Sequence, residues 1–118
     1  TATGDRGLES LKDLRHLEQL DLGDTGVTDV GLAHLESLKR LEKLDLSGTA
    51  ASDEGLKRLA GLLRLQTLYL RATNVTGAGL EHLRGLDRLD YVYLEGSPVA
   101  EDAIREIETS FLKARVVR

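Results

Sequence analysis

Few residues of this sequence could perform chemistry, and the first candidate is an acidic triplet. Asp24-Thr25-Gly26 follows an apolar segment, as the catalytic aspartate of carboxylate-based peptide hydrolysis does. That reaction needs two carboxylates that share one proton. The equivalent positions further along the chain hold Gly48, Ala72 and Gly96. Because no second acid recurs at this position, we interpret the triplet as a turn.

The histidines are the next candidates, and their spacing favours no site. His34 and His82 occupy equivalent positions with Arg58 between them, and His16 lies elsewhere. No second and third ligand accompany them at zinc-like spacing. The chain has no cysteine, and no Ser–His–Asp set or phosphate-binding fingerprint can be assembled. We therefore predict no catalytic residue, no metal and no cofactor, and a protein that is not an enzyme.

Two columns of opposite charge precede the apolar segments. The basic column consists of His16, Arg40, Arg64 and Arg88. Two residues further on, the second column consists of Glu18, Glu42, Gln66 and Asp90. Phosphate contacts require an unopposed basic stripe. We therefore interpret the columns as a salt-bridged surface, in which each pair adds roughly 0–1 kcal/mol.

The tyrosines are the candidates for partner binding. All 3 of them fall at alternate positions of short segments whose other positions hold apolar core residues. Tyr and Arg are the residue types that anchor interfaces. We predict a binding surface consisting of Lys43, Asp45, Thr67, Tyr69, Arg71, Tyr91, Tyr93 and Glu95, with the tyrosines and Arg71 at its centre. The alternative is that the aromatic pairs only stabilise a sheet, by roughly 0.2–1 kcal/mol each.

The elements that must position these side chains recur every 24 residues. Each unit starts with leucines at spacings of three and two, and the alternation predicts a strand with one buried face. After a turn, each unit has a hydroxyl residue at a position that predicts a helix N-cap: Thr28, Ser52 and Thr76. In the first two of these helices an acid follows, Asp29 or Asp53, and would offset the helix dipole. Leucines at spacings of three follow, which predicts a short helix of about two turns.

Stacked units form the core, because one unit cannot bury its own leucines. We predict about five parallel strands with helices on one face and the sheet inside the curve, since helices need more room than strands. The boundaries are a partial repeat at 1–16, full repeats at 17–40, 41–64 and 65–88, and a C-terminal repeat and cap at 89–118, all within one domain. Val116 shares the register of Leu20, so we place the last strand at about 115–118.

Two local roles follow from the repeat. The turn hydroxyls of Thr25, Thr49, Thr73 and Ser97 are expected to satisfy backbone groups of neighbouring turns. The glycines before the first helix leucine, Gly31, Gly55 and Gly79, are expected to let the helix approach the sheet closely.

The L-x-x-L-x-L start of each unit resembles leucine-rich repeats. Thr or Ser stands at the turn where that family usually has Asn or Cys. This is similar to the ribonuclease-inhibitor-like branch, in particular bacterial repeats reading L-x-x-L-x-L-x-x-T-x-V-T-D-x-G-L. The resemblance implies an α/β right-handed solenoid, a horseshoe segment with the parallel sheet on the concave face and short helices on the convex face. It also implies protein binding.

Composition narrows the function. The net charge of −4 argues against a nucleic-acid partner. No apolar run approaches ~18 residues, and the start of the chain does not read as a signal peptide. We expect a cytoplasmic, non-catalytic module that binds a protein through the concave sheet, with no membrane partner. There are two alternatives. The chain is an engineered or purely structural scaffold, or it is a substrate-recognition fragment of a larger enzyme or ubiquitin-ligase-like protein.

The N-terminal end carries a separate expectation. Residues 1–16 supply a helix without a strand, so the strand near Gln19 has no neighbour on that side. An open strand edge is a template for pairing with another chain. We therefore expect weak self-association through the N-terminal edge.

Overall fold

Five short strands form one parallel sheet in chain order. The computed structural model describes residues 4–11, 13–110 and 115–117. The strands are β1 (Gln19–Asp21), β2 (Lys43–Asp45), β3 (Thr67–Tyr69), β4 (Tyr91–Tyr93) and β5 (Arg115–Val117). Their register repeats the 24-residue period, as in the pairs Leu20 with Leu44 and Val92 with Val116. The predicted last strand is therefore present, although residue 118 lies outside the described residues.

A short helix precedes each of the first four strands. The α-helical turns are α1 (Asp5–Leu8), α2 (Asp29–Leu32), α3 (Asp53–Leu56) and α4 (Gly77–Leu80). Each continues directly as a 3-10 turn, at Glu9–Leu11, Ala33–Leu35, Lys57–Leu59 and Glu81–Leu83. A 3-10 turn brings residues i and i+3 into line, which suits leucines spaced by three. The last helix, α5 (Glu101–Ser110), is a regular ten-residue helix instead.

Leucines from both layers fill the core between the sheet and the helices. Leu44, Leu68, Leu56 and Leu59 have no exposed surface. Under the turns, Val27, Ala51 and Val75 are likewise fully buried, as the repeat predicts. Val99, at the same position of the next repeat, is only partly buried and packs against this core. The α/β leucine-rich repeat solenoid predicted from the sequence is confirmed.

Aspartates on the helices link each repeat to the next. The carboxylate of Asp29 accepts hydrogen bonds from the backbone N–H of Ser52, at 2.7 Å, and from its hydroxyl. Asp53 binds Thr76 in the same way, at 2.7 and 2.5 Å, and Asp5 binds Thr28 at 2.7 and 2.5 Å. We call these three links the aspartate ladder.

The aspartate ladder corrects two predicted roles. Ser52 and Thr76 donate to the preceding repeat and make no cap hydrogen bond with their side chains, whereas Thr28 accepts from Val30 at 3.3 Å. The glycines are required by the ladder rather than by contact with the sheet. A Cβ on Gly55 would lie 2.3 Å from Oδ1 of Asp29. The same clash, at 2.2 and 2.3 Å, would occur on Gly31 with Asp5 and on Gly79 with Asp53.

At the junction between the repeats 65–88 and 89–118, all three members of the ladder are replaced together. Gly77 stands at the aspartate position, Ala100 at the hydroxyl position and Ala103 at the glycine position. A Cβ on Gly77 would lie 2.5 Å from the Cβ of Ala103. The glycine therefore makes room for the alanine, and apolar packing replaces the hydrogen bonds at this junction.

The turn hydroxyls mostly bond within their own repeat, which corrects the expectation for them. Thr25, Thr49 and Thr73 donate to the carbonyls of Leu22, Leu46 and Leu70, at 2.7, 2.6 and 3.0 Å. A threonine hydroxyl on its short side chain reaches the carbonyl three residues back. Ser97 alone among the four follows the prediction, because it donates to Leu70 of the preceding repeat at 2.5 Å.

The position before each turn hydroxyl adopts a left-handed backbone. The φ angles are 55° at Asp24, 71° at Gly48, 51° at Ala72 and 79° at Gly96. Asp24 therefore belongs to a turn, as its position in the repeat predicts, and the equivalent positions hold no second carboxylate. In the described part of the chain, the helices are too short or too polar to cross a membrane.

Candidate functional site: the aromatic cluster on the sheet

The candidate site lies on the sheet surface that faces away from the helices. The first and third residues of each strand point to this surface, because alternate side chains of a strand point to opposite faces. The second residue, such as Leu68 or Val92, points to the core and is fully buried. All eight predicted site residues lie on this surface or at the strand ends beside it.

Two tyrosines stack across neighbouring strands. Tyr69 of β3 pairs in register with Tyr93 of β4, and strands lie about 4.8 Å apart. Their ring centroids are 4.5 Å apart and the ring planes are inclined by 11°. Tyr91 lies two residues before Tyr93 on the same face, with 6.2 Å between ring centroids and an angle of 25°. Residues 24 apart in the sequence are thus neighbours across the strands, at a distance that lets the two rings stack.

Arg71 covers the stacked pair. Its guanidinium carbon lies 5.3 Å from the ring centroid of Tyr69 and 4.8 Å from that of Tyr93. Nε of Arg71 also donates to Oε1 of Glu95 at 3.1 Å. A cation within about 6 Å of an aromatic centroid is attracted to the ring. The ion pair and the two rings therefore hold the Arg71 side chain in one place.

Lys43 extends the cluster toward the N-terminal strands. Its Nζ lies 5.5 Å from the ring centroid of Tyr69. Beyond it, a shallow depression is lined by Gln19, Asp21, Lys43, Asp45 and Tyr69, with Leu20 at its base. Thr67 lies between Lys43 and Tyr91 in the cross-strand register. We call Lys43, Tyr69, Arg71, Tyr91, Tyr93 and Glu95 the aromatic cluster.

The acidic residues beside the cluster also have structural partners. Oδ1 of Asp45 accepts from the backbone N–H of Ser47, and Oδ1 of Asp21 accepts from that of Gly23, each at 2.9 Å. These bonds shape the ends of β1 and β2. Within the described residues, no group of three or more metal-ligating side chains comes together.

The aromatic cluster is accessible to a partner. Tyr91 is 40% exposed, and Tyr69 and Tyr93 are half-buried. The side chains of Arg71 and Glu95 retain 43% and 44% of their exposure. Half-buried aromatic rings with exposed charged neighbours are the composition of an interface centre with a polar rim.

The two charged columns do not form the predicted salt-bridged surface. Ion pairs between described residues include those of Arg71 with Glu95, Arg58 with Glu36 and Lys57 with Glu54, and none of these residues belongs to the columns. Exposed side chains gain little from such pairs and stay solvated.

On the helix side, the hydrogen bond from Lys57 lowers the pKa of Glu54. Both side chains are exposed on the helix, so the two residues form a surface ion pair.

Comparison with known proteins agrees with the repeat. A family model described as leucine-rich repeat matches residues 13–35 and 33–60. None of the curated protein sequences matches the chain. The fold is similar to that of a leucine-rich repeat protein of Leptospira interrogans, with 23% identity and a TM-score of 0.73 over 92% of this chain and 27% of that one.

Two internalins of Listeria monocytogenes are also similar. Internalin C2 gives 26% identity and a TM-score of 0.64 over 98% of this chain and 57% of its own. Internalin F gives 20% identity and a TM-score of 0.57 over 91% and 36%. The present chain thus spans between about a quarter and three fifths of these similar structures.

The fold and the matched segments define the class of protein. Residues 13–60 match a leucine-rich repeat model, and the chain as described builds an α/β solenoid of the leucine-rich repeat fold. Leucine-rich repeat proteins are generally protein-interaction modules and typically not enzymes.

Proposed function

We propose that this chain is a non-catalytic module that binds a protein partner through the concave sheet face, with the aromatic cluster as its centre. The observation that carries the proposal is the stack of Tyr69 on Tyr93 beneath the guanidinium of Arg71. The core does not require these rings, because the central residues of the same strands, Leu68 and Val92, are the ones buried in it. Tyr and Arg dominate the energetics of protein interfaces.

The arrangement favours binding because its side chains are already ordered. Ordering a flexible side chain at an interface costs about 0.5–1.5 kcal/mol. Arg71 is held by Glu95 and by two rings, and each tyrosine is held by a neighbouring ring. A partner that contacts the cluster therefore meets a preformed surface.

The uneven distribution of the cluster argues against a featureless scaffold. At the third strand position the sheet presents Asp21, Asp45, Tyr69, Tyr93 and Val117 in turn. A purely structural array would need no such change from acidic to aromatic residues. The competing interpretation is that the stack only strengthens β3 and β4, which cross-strand pairs do by roughly 0.2–1 kcal/mol.

A binding measurement separates these interpretations. Proteins captured by the immobilised chain would be purified and titrated against it by calorimetry. Tyr69→Ala with Tyr93→Ala should weaken binding by at least about 30-fold, since hot-spot truncations cost 2 kcal/mol or more and 1.4 kcal/mol is tenfold. The matched control is Glu36→Ala with Arg58→Ala, which removes an exposed pair from the helix side.

The controls decide the result. Circular dichroism of both double variants should match that of the wild type, because neither change removes a core side chain. If the helix-side variant loses affinity and the tyrosine variant keeps it, the partner binds the convex side and the proposal is wrong. If the tyrosine variant keeps full affinity and only loses stability, the cluster has a structural role.

A further inference from the structure

Basic side chains gather at the turns that lead from the helices into the strands. Arg15 and His16 hold the last two positions of one repeat, and Lys39 and Arg40 hold the same positions of the next. All four residues are exposed. The equivalent Arg64, inside the array, is exposed as well, so the exposure of these positions is a property of the repeat.

The backbone of the two turns places these side chains next to each other. The N–H of Arg15 donates to the carbonyl two residues before it at 2.9 Å, and that of Lys39 does the same at 2.9 Å. Just after the turns, the N–H of Glu42 donates to the carbonyl of Glu18 at 2.7 Å and joins the two segments. Neighbouring turns of the array therefore present their basic pairs side by side.

A depression of about 480 Å³ lies between the two turns, within the size range of small-ligand sites. It is lined by Arg15, His16, Ser37, Lys39 and Arg40. No acidic side chain is among these lining residues. Nζ of Lys39 lies beside Gly61 of the following turn, where a Cβ would be 2.9 Å away. The basic surface therefore continues toward Arg64.

Neighbouring acidic residues do not neutralise this surface. The ion pairs found between described residues involve none of Arg15, Lys39 and Arg40. Glu18 and Glu42 stand only two residues after the basic column. The pairing of the basic with the acidic column, which would exclude anion binding, is therefore absent between these described residues.

We propose that this depression binds the phosphate group of a phosphorylated segment of a protein partner, and that it does so independently of the aromatic cluster. Guanidinium and ammonium groups form strong, charge-assisted hydrogen bonds with phosphate. A phosphate monoester carries a charge of about −1.5 to −2 and three acceptor oxygens, so it engages several basic side chains at once. A carboxylate has only two oxygens and one charge. We call Arg15, His16, Lys39 and Arg40 the basic groove.

The residues beside the basic groove favour a protein segment over a nucleic acid. A nucleic-acid backbone is bound by basic residues that follow many phosphates. Here the first of the two basic positions changes from Arg15 and Lys39 to Leu63 and then to Asp87. Leu63 is 60% exposed. An exposed leucine beside a basic groove suits a bound segment that carries an apolar side chain near its phosphate.

The repeat spacing predicts where this apolar side chain lies in the segment. Neighbouring strands are about 4.8 Å apart and each turn leads directly into its strand, so Leu63 lies about 7 Å from the middle of the groove. An extended chain advances about 3.3 Å per residue. An apolar residue two positions away from the phosphorylated residue therefore reaches Leu63.

Nuclear magnetic resonance of the isotope-labelled chain tests the proposal, because it both detects and locates weak binding. The probe is a short peptide with phosphoserine at its centre and a leucine two residues away on each side. It should shift the amide signals of Arg15, Lys39 and Leu63 and leave those of Lys57 and Arg58 on the helix side unchanged. We expect a dissociation constant of about 1 mM or below, which two charge-assisted hydrogen bonds and one apolar contact supply.

Matched charge variants identify the groove. Lys39→Gln with Arg40→Gln should weaken binding of the phosphopeptide by at least about tenfold, because it removes charge-assisted hydrogen bonds. Lys57→Gln with Arg58→Gln removes the same two types of charge from the helix side and should bind like the wild type. Leu63→Ala should weaken binding roughly threefold or more, because an apolar contact is lost.

The aromatic cluster provides the test of independence. Tyr69→Ala with Tyr93→Ala should bind the phosphopeptide like the wild type, although it is expected to lose the partner of the concave face. The two proposals therefore fail separately. Loss of phosphopeptide binding in this tyrosine variant would place the phosphate at the aromatic cluster and overturn the present inference.

Four further results overturn the proposal. Phosphopeptide at ~1 mM that shifts no amide of the basic groove shows that the groove binds no such segment. An unphosphorylated peptide that binds equally well shows that phosphate is not recognised. Inorganic phosphate that binds as tightly as the phosphopeptide shows that a small anion is the ligand. A single-stranded oligonucleotide that binds more tightly than the phosphopeptide shows that the groove is a nucleic-acid site.

Discussion

Ala72 is the residue whose backbone conformation fits its side chain least. It occupies the left-handed turn position, with φ of 51°, where Gly48 and Gly96 stand in neighbouring repeats. The left-handed conformation costs a residue with a Cβ about 1–2 kcal/mol. Glycine avoids this cost but loses more backbone entropy on folding, which offsets roughly 0.5–1 kcal/mol of the gain. We predict that Ala72→Gly raises the free energy of unfolding by about 0.5–1 kcal/mol in urea titration.

The reverse change at Gly48 is the control. Its φ is 71°, and an added Cβ would lie 2.1 Å from Oδ1 of Asp24. Gly48→Ala should therefore destabilise the protein. Equal stability of Ala72→Gly and the wild type would mean that the turn relaxes around alanine without cost.

Leu44 tests the core. It has no exposed surface and lies at the centre of β2, between Leu20 and Leu68. Truncation of a buried leucine costs about 2–5 kcal/mol, so Leu44→Ala should lose that amount in denaturant titration. Leu63, which is 60% exposed, provides the matched leucine control, and Leu63→Ala should change stability by less than about 0.5 kcal/mol. Similar losses at both positions would contradict the burial pattern.

The arrangement of the tyrosines can be predicted from the sequence, but that of Arg71 beside them cannot. Alternation within a strand predicts which way Tyr69 and Tyr93 face, and the period predicts that they are neighbours. The stacking distance follows from the strand spacing alone. The position of Arg71 does not, because a long side chain has many rotamers and its choice depends on Glu95 and both rings together.

At the scale of the elements, the aspartate ladder differs from what the repeat pattern predicts. The pattern predicts that Asp29 and Asp53 offset the dipoles of their own helices and that the glycines allow contact with the sheet. The true partner of Asp29 is Ser52, 23 residues further on. A signal was present in the sequence, because Asp, hydroxyl and Gly occur together at three junctions and are all replaced at Gly77, Ala100 and Ala103.

The ladder predicts coupled mutations. Gly55→Ala brings a Cβ to 2.3 Å from Asp29 and should cost about 1–3 kcal/mol. Asp29→Gly leaves the Ser52 N–H and hydroxyl without their acceptor, which should cost a further roughly 1–3 kcal/mol. In the Asp29→Gly background the alanine no longer meets the carboxylate, and the contact that remains is with Cδ1 of Leu32, at 2.5 Å on the end of a flexible side chain. The double variant should therefore be more stable than the sum of the single losses, by about 0.5–3 kcal/mol.

Unfolding of the four proteins of this cycle in urea measures the coupling. Ser52→Ala added to the double variant reproduces the set found at the last junction and should not reduce stability further by more than about 1 kcal/mol. Additive losses for Gly55→Ala and Asp29→Gly would show that the glycine is required for another reason.

For the whole molecule, the sequence predicts the fold nearly completely. A fixed period with one buried face per strand leaves a single way to stack the units, and the register of all five strands follows from it. The second, 3-10 turn of each helix was not predicted, because the leucine spacing of three suits both helix types. Residues 89–110 follow the repeat less closely, since α5 is a regular ten-residue helix and Val99 is only partly buried.

The junction before the last repeat also determines where this molecule opens first. Arrays whose units touch only their neighbours gain stability junction by junction. At each of the three preceding junctions an aspartate accepts two hydrogen bonds, whereas Gly77, Ala100 and Ala103 provide none of these. Fluctuations that release only the last unit should therefore be more frequent than fluctuations between the full repeats. Native-state hydrogen exchange should show the amides of Leu94 and Ile104 exchanging faster than those of Leu46 and Leu56, while uniform exchange across all four would mean that the array opens only as a whole.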